Sequence, residues 1–451
     1  MTDHHVPGFL PRVASFGAVA TGFVMAVGIA AGAEWPQWRG PDGQGHGSAG
    51  PFPVAWSERN NVAWKTPLPG RGWSSPVIAG DQIWLTTAIE VEPSAEARAR
   101  RLAGRTAGEP VNVAGTVRLH ALCVDRATGR LLHDVELFAV EDPQPIHTLN
   151  SYASPSPVLD AGRLYCHFGD FGTACIDTTT ATVVWTSRAI RLDHENGPGS
   201  TPVLWHDRLI VHCDGKDRQE VVAFDTRSGD VAWRTPRSGT LRDDPQLRKA
   251  YGTPLVAELD GRDVLVSPGA DWLYGYDPAT GRELWKLGYG VLGFSTVPRP
   301  VTAHGLIYMI TGYMQAELLA VKVVGTTPEV VWRVKKGVPT IPSPLVVGNE
   351  LYMVGDKGIA TCLDARTGDV VWSERLGGNF CSSPLAAGGH IYVSNQEGAT
   401  SVIVPGRTFA LEATNTLDGR IFATPAAVDG ALYIRTDAAL QRIDTRPPGG
   451  G

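Results

Sequence analysis

The side chains in this sequence best suited to binding or catalysis stand in short runs just ahead of a recurring proline. They are Arg71 and Trp73; His147, Asn150 and Tyr152; His194, Glu195 and Asn196; Arg248, Lys249 and Tyr251; Arg299; Asn379 and Phe380; and Arg420. Five of them are Arg or Lys, and cations gathered round one opening suit an anionic group, Arg through its planar fork of donors. The same residues also suit a plainer task, capping turns and bridging water. His194-Glu195 sets an imidazole beside a carboxylate, a pairing for acid–base work, yet no nucleophile or metal partner accompanies it. A zinc-protease HExxH would need its second His where Pro198 stands, and no G-x-S-x-G elbow occurs. Gly45-His-Gly47-Ser-Ala-Gly50 matches G-x-G-x-x-G in letters only, with no strand before it and no helix after it. No catalytic or metal-ligating set is therefore expected.

The six cysteines are Cys123, Cys166, Cys175, Cys213, Cys362 and Cys381. No CxxC, CxxCH or adjacent pair occurs, which removes thioredoxin-like chemistry, c-type haem and a CxxC zinc site. Cys166 and Cys175 fall across one expected hairpin, leaving open a disulfide or two small buried residues. A net charge of −6, with both signs dispersed, supplies no basic stripe, so nucleic acid is not an expected partner.

The prolines that follow the candidate residues reveal what must position them. Ser or Thr, Pro and an apolar residue recur as Ser75-Pro76-Val77, Ser156-Pro157-Val158, Thr201-Pro202-Val203, Thr253-Pro254-Leu255, Ser343-Pro344-Leu345, Ser383-Pro384-Leu385 and Thr424-Pro425-Ala426, with Arg299-Pro300-Val301 as a variant. After a first interval of 81 residues the prolines stand 40 to 52 apart, the length of one four-stranded propeller blade. The long first interval holds an insertion near 90–116 with a helix-prone stretch, Ser94 to Leu102.

A second phrase marks a hairpin: Asp125-Arg-Ala-Thr128-Gly129, Asp225-Thr-Arg-Ser228-Gly229, Asp277-Pro-Ala-Thr280-Gly281 and Asp364-Ala-Arg-Thr367-Gly368. Asp can accept from the turn's N–H groups and Gly can take positive φ. Four residues on stands a ring, His133, Trp233, Trp285 or Trp372, suited to packing between blades. Runs such as Arg163-Leu-Tyr-Cys-His167 and Glu350-Leu-Tyr-Met-Val354 have strand period and composition.

The pattern predicts an all-β, eight-bladed β-propeller of four-stranded antiparallel blades over 62–446. The last unit ends before an outer strand, and Asn61-Val-Ala-Trp64-Lys65 has the pattern to supply it, closing the ring with an N-terminal strand. Residues 34–61 form a lead-in, and 447–451 a tail expected to be disordered. Before them, Arg12 and an uncharged apolar run from Val13 to Ala33 predict a signal peptide over 1–33, cut after Ala31-Gly32-Ala33. The alternative is an uncleaved anchor, the one expected route to membrane association. Either places the chain outside the cytoplasm, in the periplasm or cell envelope.

These phrases resemble the pyrroloquinoline-quinone-like (PQQ-like) repeat propellers over residues 62 to 444. Trp35-Pro-Gln-Trp38-Arg39-Gly40-Pro41 and His194-Glu195-Asn196-Gly197-Pro198-Gly199-Ser200 are similar to segments of planctomycete-type envelope proteins that carry this domain. The resemblance implies one of two kinds of work. Quinoprotein dehydrogenases hold the quinone on the axis with calcium, an Asp base and a disulfide between neighbouring cysteines. The lipoprotein of the outer-membrane barrel-assembly machinery binds protein and no cofactor. This sequence has no vicinal Cys pair and no calcium-loop carboxylate cluster, so no cofactor is expected, with PQQ and calcium as the alternative. The expected function is a non-catalytic scaffold for an envelope protein or polymer. The alternatives are a divergent quinoprotein oxidoreductase and an anion- or glycan-binding sensor at the funnel rim.

Overall fold

The computed structural model describes residues 1–4, 34–103, 110–290 and 293–445. The apolar run from Val13 to Ala33 and the tail 447–451 lie outside the described residues. Contacts divide the chain into two units, Met1–Ala31 and Gly32–Gly451, and the second carries the strands.

Each proline phrase is followed at once by a short strand: Val77–Ala79, Val158–Asp160, Val203–Trp205, Leu255–Leu259, Val301–Ala303, Leu345–Val347, Leu385–Ala387 and Ala426–Val428. Proline has no N–H to give a ladder, so it marks where pairing starts. From each start the chain meanders through antiparallel neighbours, producing eight four-stranded sheets, blades 1 to 8 in that order. The fourth strand of blade 8 is Val62–Pro67, paired antiparallel with Ala439–Ile443. The insertion holds one exposed helix, Ala95–Leu102, capped by Ser94, and Val111–Asn112, which pairs with Ile146–His147.

The outer-strand rings are seated from two sides. Within a blade Trp64 stands opposite Arg442, whereas five of the rings face a small residue of the third strand: Trp185 opposite Cys175, Trp233 opposite Ala223, Trp285 opposite Gly275, Trp332 opposite Ala320 and Trp372 opposite Cys362. His133 lies opposite Cys123 in the same way. Between blades, the indole N–H of Trp64, Trp185 and Trp233 donates to Arg126 O, Thr226 O and Pro278 O of the next blade's turn. Gly129, Gly229, Gly281 and Gly368 have φ of 72–78°. A Cβ there would come within 2.4–2.7 Å of Trp64, Trp185, Trp233 and Trp332. Glycine therefore meets two demands, the positive φ of the turn and the close approach of the ring.

The same register accounts for half of the cysteines as small residues facing a ring. All six are free thiols. Cys175 pairs with Tyr165, so Cys166, one residue on, points to the opposite face of the hairpin, and the disulfide alternative gives way to two buried thiols. Burial pushes the Cys175 thiol up to about 11, away from reactive thiolate.

The lead-in is a structural part of the propeller. The innermost strands turn a row of N–H and C=O groups toward the axis, and these need partners. Trp35 bridges Ile78, Pro36 O accepts from Leu159 N at 2.8 Å, and Gln44 Oε1 accepts from Thr302 N at 2.6 Å. Arg39 Nη2 donates to Pro344 O at 2.7 Å, and Gly47 N to Ala386 O at 2.7 Å. One segment thereby ties blades 1, 2, 5, 6 and 7 from inside.

Candidate binding funnel on the propeller axis

The repeated hydroxyl links neighbouring blades beside the lead-in. Ser75 N donates to Ser156 Oγ at 2.9 Å, Ser156 N to Thr201 Oγ1 at 3.0 Å and Thr201 N to Thr253 Oγ1 at 3.0 Å. Arg299 N donates to Ser343 Oγ at 2.9 Å, Ser343 N to Ser383 Oγ at 3.0 Å and Ser383 N to Thr424 Oγ1 at 3.0 Å. Six successive pairs of blades are so bound, phrase to phrase, which explains why a hydroxyl precedes the proline. Ser75, Ser156, Thr201, Thr253, Ser383 and Thr424 line a neck of about 100 Å³ with Trp38 of the lead-in in its wall. The neck shares Trp73, Tyr251, Ile341 and Phe422 with a chamber of about 410 Å³, formed by the loops that precede the phrases.

Five aromatic rings stand in the chamber wall: Trp73, Tyr251, Phe294, Tyr313 and Phe422. Trp73 stacks on Phe422 with centroids 4.3 Å apart and planes inclined 20°. Arg71 Cζ lies 5.2 Å from the Trp73 centroid and Arg420 Cζ lies 4.6 Å from that of Phe422, so two guanidiniums and two rings make one stack across the seam of blades 8 and 1. Across the chamber, Glu195 sits at φ 62°, a conformation rare for a non-glycine residue and a mark of imposed geometry. Its carboxylate is ion-paired with Lys249 Nζ and accepts from Gln246 Nε2 at 2.6 Å, the acid 8% and the amine 4% exposed. Lys249 Nζ also donates to Gln246 Oε1 at 2.8 Å and stands 5.7 Å from the Phe294 ring.

Of the residues named from the sequence, Trp73, His147, Asn150, Glu195, Asn196, Lys249 and Tyr251 line the chamber. Arg71 stands behind Trp73, its Nη2 donating to Thr148 O at 2.6 Å and Asn150 O at 2.8 Å, and burial lowers its pKa. Arg248 gives Nε and Nη2 to the carbonyls of Arg242 and Asp243. Tyr152 is buried, donating to Gln144 O at 3.0 Å. His194 is buried behind the wall, where Nε2 accepts from Asp170 N at 3.1 Å. Asn379 lies on the surface, donating to Glu397 Oε1 at 2.7 Å. Arg299 is not a rim residue: it is 2% exposed, and Nη1 reaches down to Trp38 O at 3.1 Å. The basic rim expected from the sequence is thus largely spent on the chain's own groups, because short loops leave carbonyls that a guanidinium can satisfy.

Sequence reasoning missed Phe294, Tyr313 and Phe422. Phe422 carried a signal, since it follows Arg420 at the same offset as Trp73 follows Arg71. Phe294 and Tyr313 occupy no repeated place.

A calcium–quinone pair would need carboxylate oxygens in this wall. Glu195 is the one carboxylate among the lining residues, and its oxygens are bonded to Lys249 and Gln246. Among the described residues no group of three or more His, Cys, Asp or Glu could hold a metal. The donor set does not fit the calcium centre.

The family described as outer membrane protein assembly factor BamB matches residues 96–323 and 320–421. No curated protein matches the sequence. Among solved structures, BamB from Moraxella catarrhalis is 14% identical over 79% of this chain and 98% of its own, with a TM-score of 0.49. A europium-containing methanol dehydrogenase is 12% identical over 90% of both chains, with a TM-score of 0.50, a likeness of fold alone. With eight four-stranded blades and a family match over most of its length, the chain belongs to the PQQ-like repeat β-propellers of the outer membrane protein assembly factor family.

Proposed function

We propose that the protein is a non-catalytic binding scaffold of the cell envelope whose funnel receives an apolar part of a partner protein. The observation that carries this reading is the character of the mouth. Leu149, Tyr313 and Met314 are 42%, 59% and 69% exposed at or beside the chamber, while Glu195 and Lys249 of its wall are paired with each other. Such a mouth offers a guest apolar surface and amide groups rather than free charge. The family match supports an assembly role and an envelope location, and the apolar run before Glu34 is consistent with export.

The test is site-specific photo-cross-linking in the native cells, with the photoreactive residue at Tyr313 or, as a control, at Val370 on the blade periphery. Adducts to one envelope protein from position 313 and none from 370 would support the reading. Equal labelling at both positions, or none at 313, would sink it. Quinone chemistry has its own check: saturable PQQ binding with calcium and dye-linked alcohol oxidation by the purified protein would replace the scaffold with an oxidoreductase.

A further inference from the structure

We propose that the lead-in and blade 5 build a buried site for a small monovalent anion, chloride by size, between the guanidinium groups of Arg39 and Arg299. Arg39 is fully buried, and its Nη2 donates to Gln44 O and Pro344 O, both at 2.7 Å. Its Nε and Nη1 are buried and meet no acceptor of the chain. Arg299 donates Nη1 to Trp38 O at 3.1 Å, and its Nε meets none. The turn Gly40 to His46 wraps both groups. A Cβ on Gly43 would lie 2.4 Å from Arg299 Nη1, and one on Gly45 would lie 2.8 Å from Arg39 Nη2.

Every hydrogen bond these cations make ends on a neutral carbonyl. Asp42, whose charge reaches both cations, makes no hydrogen bond to either and is bonded instead to His46 Nδ1 at 2.8 Å and Gln44 N at 2.8 Å. Two like charges are therefore held out of water: burial and then Arg299 press the Arg39 guanidinium down to about 9, burial presses Arg299 to about 10, and the Asp42 charge offsets only part of either shift. Buried charge is tolerated where it is paired. A water could accept from one of the three orphan N–H groups but would leave the like charges opposed, whereas an anion answers both the donors and the charge. The position of Arg299 in the repeat points the same way. Seven phrases place Ser or Thr before proline and this one a cation, at the cost of a hydroxyl in the interblade ring. Close packing by Gly43 and Gly45 restricts the guest to a small ion.

The experiment is thermal unfolding of the purified protein as sodium bromide replaces sodium gluconate at constant ionic strength, paired with bromide anomalous diffraction from crystals. Once the halide exceeds its dissociation constant, the midpoint is expected to rise by about 1.5 °C per tenfold halide, from the entropy of unfolding a chain of this length. A bromide peak is expected between the two guanidiniums. Arg299→Ser restores the residue type of the other blades and is expected to fold and to lose the halide response. Equal midpoints in bromide and gluconate, a map with no peak at this place, or an undiminished response in Arg299→Ser would each overturn the proposal. Should Arg299→Ser fail to fold, the titration and the map of the unaltered protein decide it.

Discussion

Replacing Lys249 by Met tests whether the chamber's charges belong to the fold or to a guest. Lys249 and Glu195 are 4% and 8% exposed and bridged by Gln246, so neither is appreciably hydrated. Removing one member of such a pair strands the other, at about 3–5 kcal/mol. Lys216 Nζ, 3.8 Å from Glu195 and 27% exposed, can lend partial compensation, which places Lys249→Met near the lower figure, about 3 kcal/mol. Glu195→Gln takes the carboxylate away from the buried ammonium, which keeps its bond to Gln246 and its place beside the Phe294 ring, and is expected to cost about 4 kcal/mol. The double variant removes both charges and is expected within about 2 kcal/mol of the parent, a coupling of roughly 5 kcal/mol or more. Urea unfolding with a constant m-value reads all three, and added salt should leave the coupling nearly unchanged. Single variants costing under about 1 kcal/mol, as exposed pairs do, would refute the argument. The funnel would then hold charge free to meet an anionic ligand.

Gly281→Ala combines φ 72° with a Cβ 2.4 Å from Trp233, and is expected to cost about 2–4 kcal/mol in urea unfolding, with Trp233→Ala in the background removing part of that loss. Ser343→Ala strips the acceptor from Arg299 N and should cost about 1–2 kcal/mol, whereas Ser343→Thr, the residue of three other blades, should be nearly silent; similar losses for both would refute the hydroxyl ring. Burial pushes the imidazole of His167 down to about 3 and that of His212 well below its usual range. A group that binds its proton more weakly when folded loses stability as pH falls below its unfolded value, so stability should decline from about pH 6.5 downward. His167→Asn, whose amide can take the place of Nδ1 in the bond to Thr173, should flatten that decline, and an unchanged pH profile would contradict the burial of a neutral ring.

The blades are legible in the sequence because each is built from local pairings. The Asp-x-x-Thr-Gly turn and the ring four residues later report contacts between strands adjacent in the chain, and Gly229 or Gly368 carries its own φ requirement. The funnel's level is legible too, since a proline tells where each inner strand begins. What escapes is every contact whose partner is remote and unrepeated. Arg299 reads as a rim cation until Trp38, 261 residues away, is seen beneath it. Arg71 reads as an anion receptor until two carbonyls of the next blade are seen to occupy it. A side chain's type is local information; its direction, and which carbonyl it satisfies, depends on how the ring closes.

Ring closure also limits where recognition can reside. The inner strands expose backbone groups along the whole axis, and the lead-in answers them at one level with its own N–H and C=O groups. At the next level the interblade hydroxyls take the N–H groups, and Trp38 enters the wall of the neck. Above that the loops diverge, and the chamber widens among residues that differ from blade to blade. The repeat therefore specifies the disc but leaves the chamber unspecified, since no phrase dictates Phe294, Tyr313 or Phe422. Substitutions that alter partner choice without unfolding the protein should accordingly concentrate on those loops, and substitutions in the phrases themselves should act through stability.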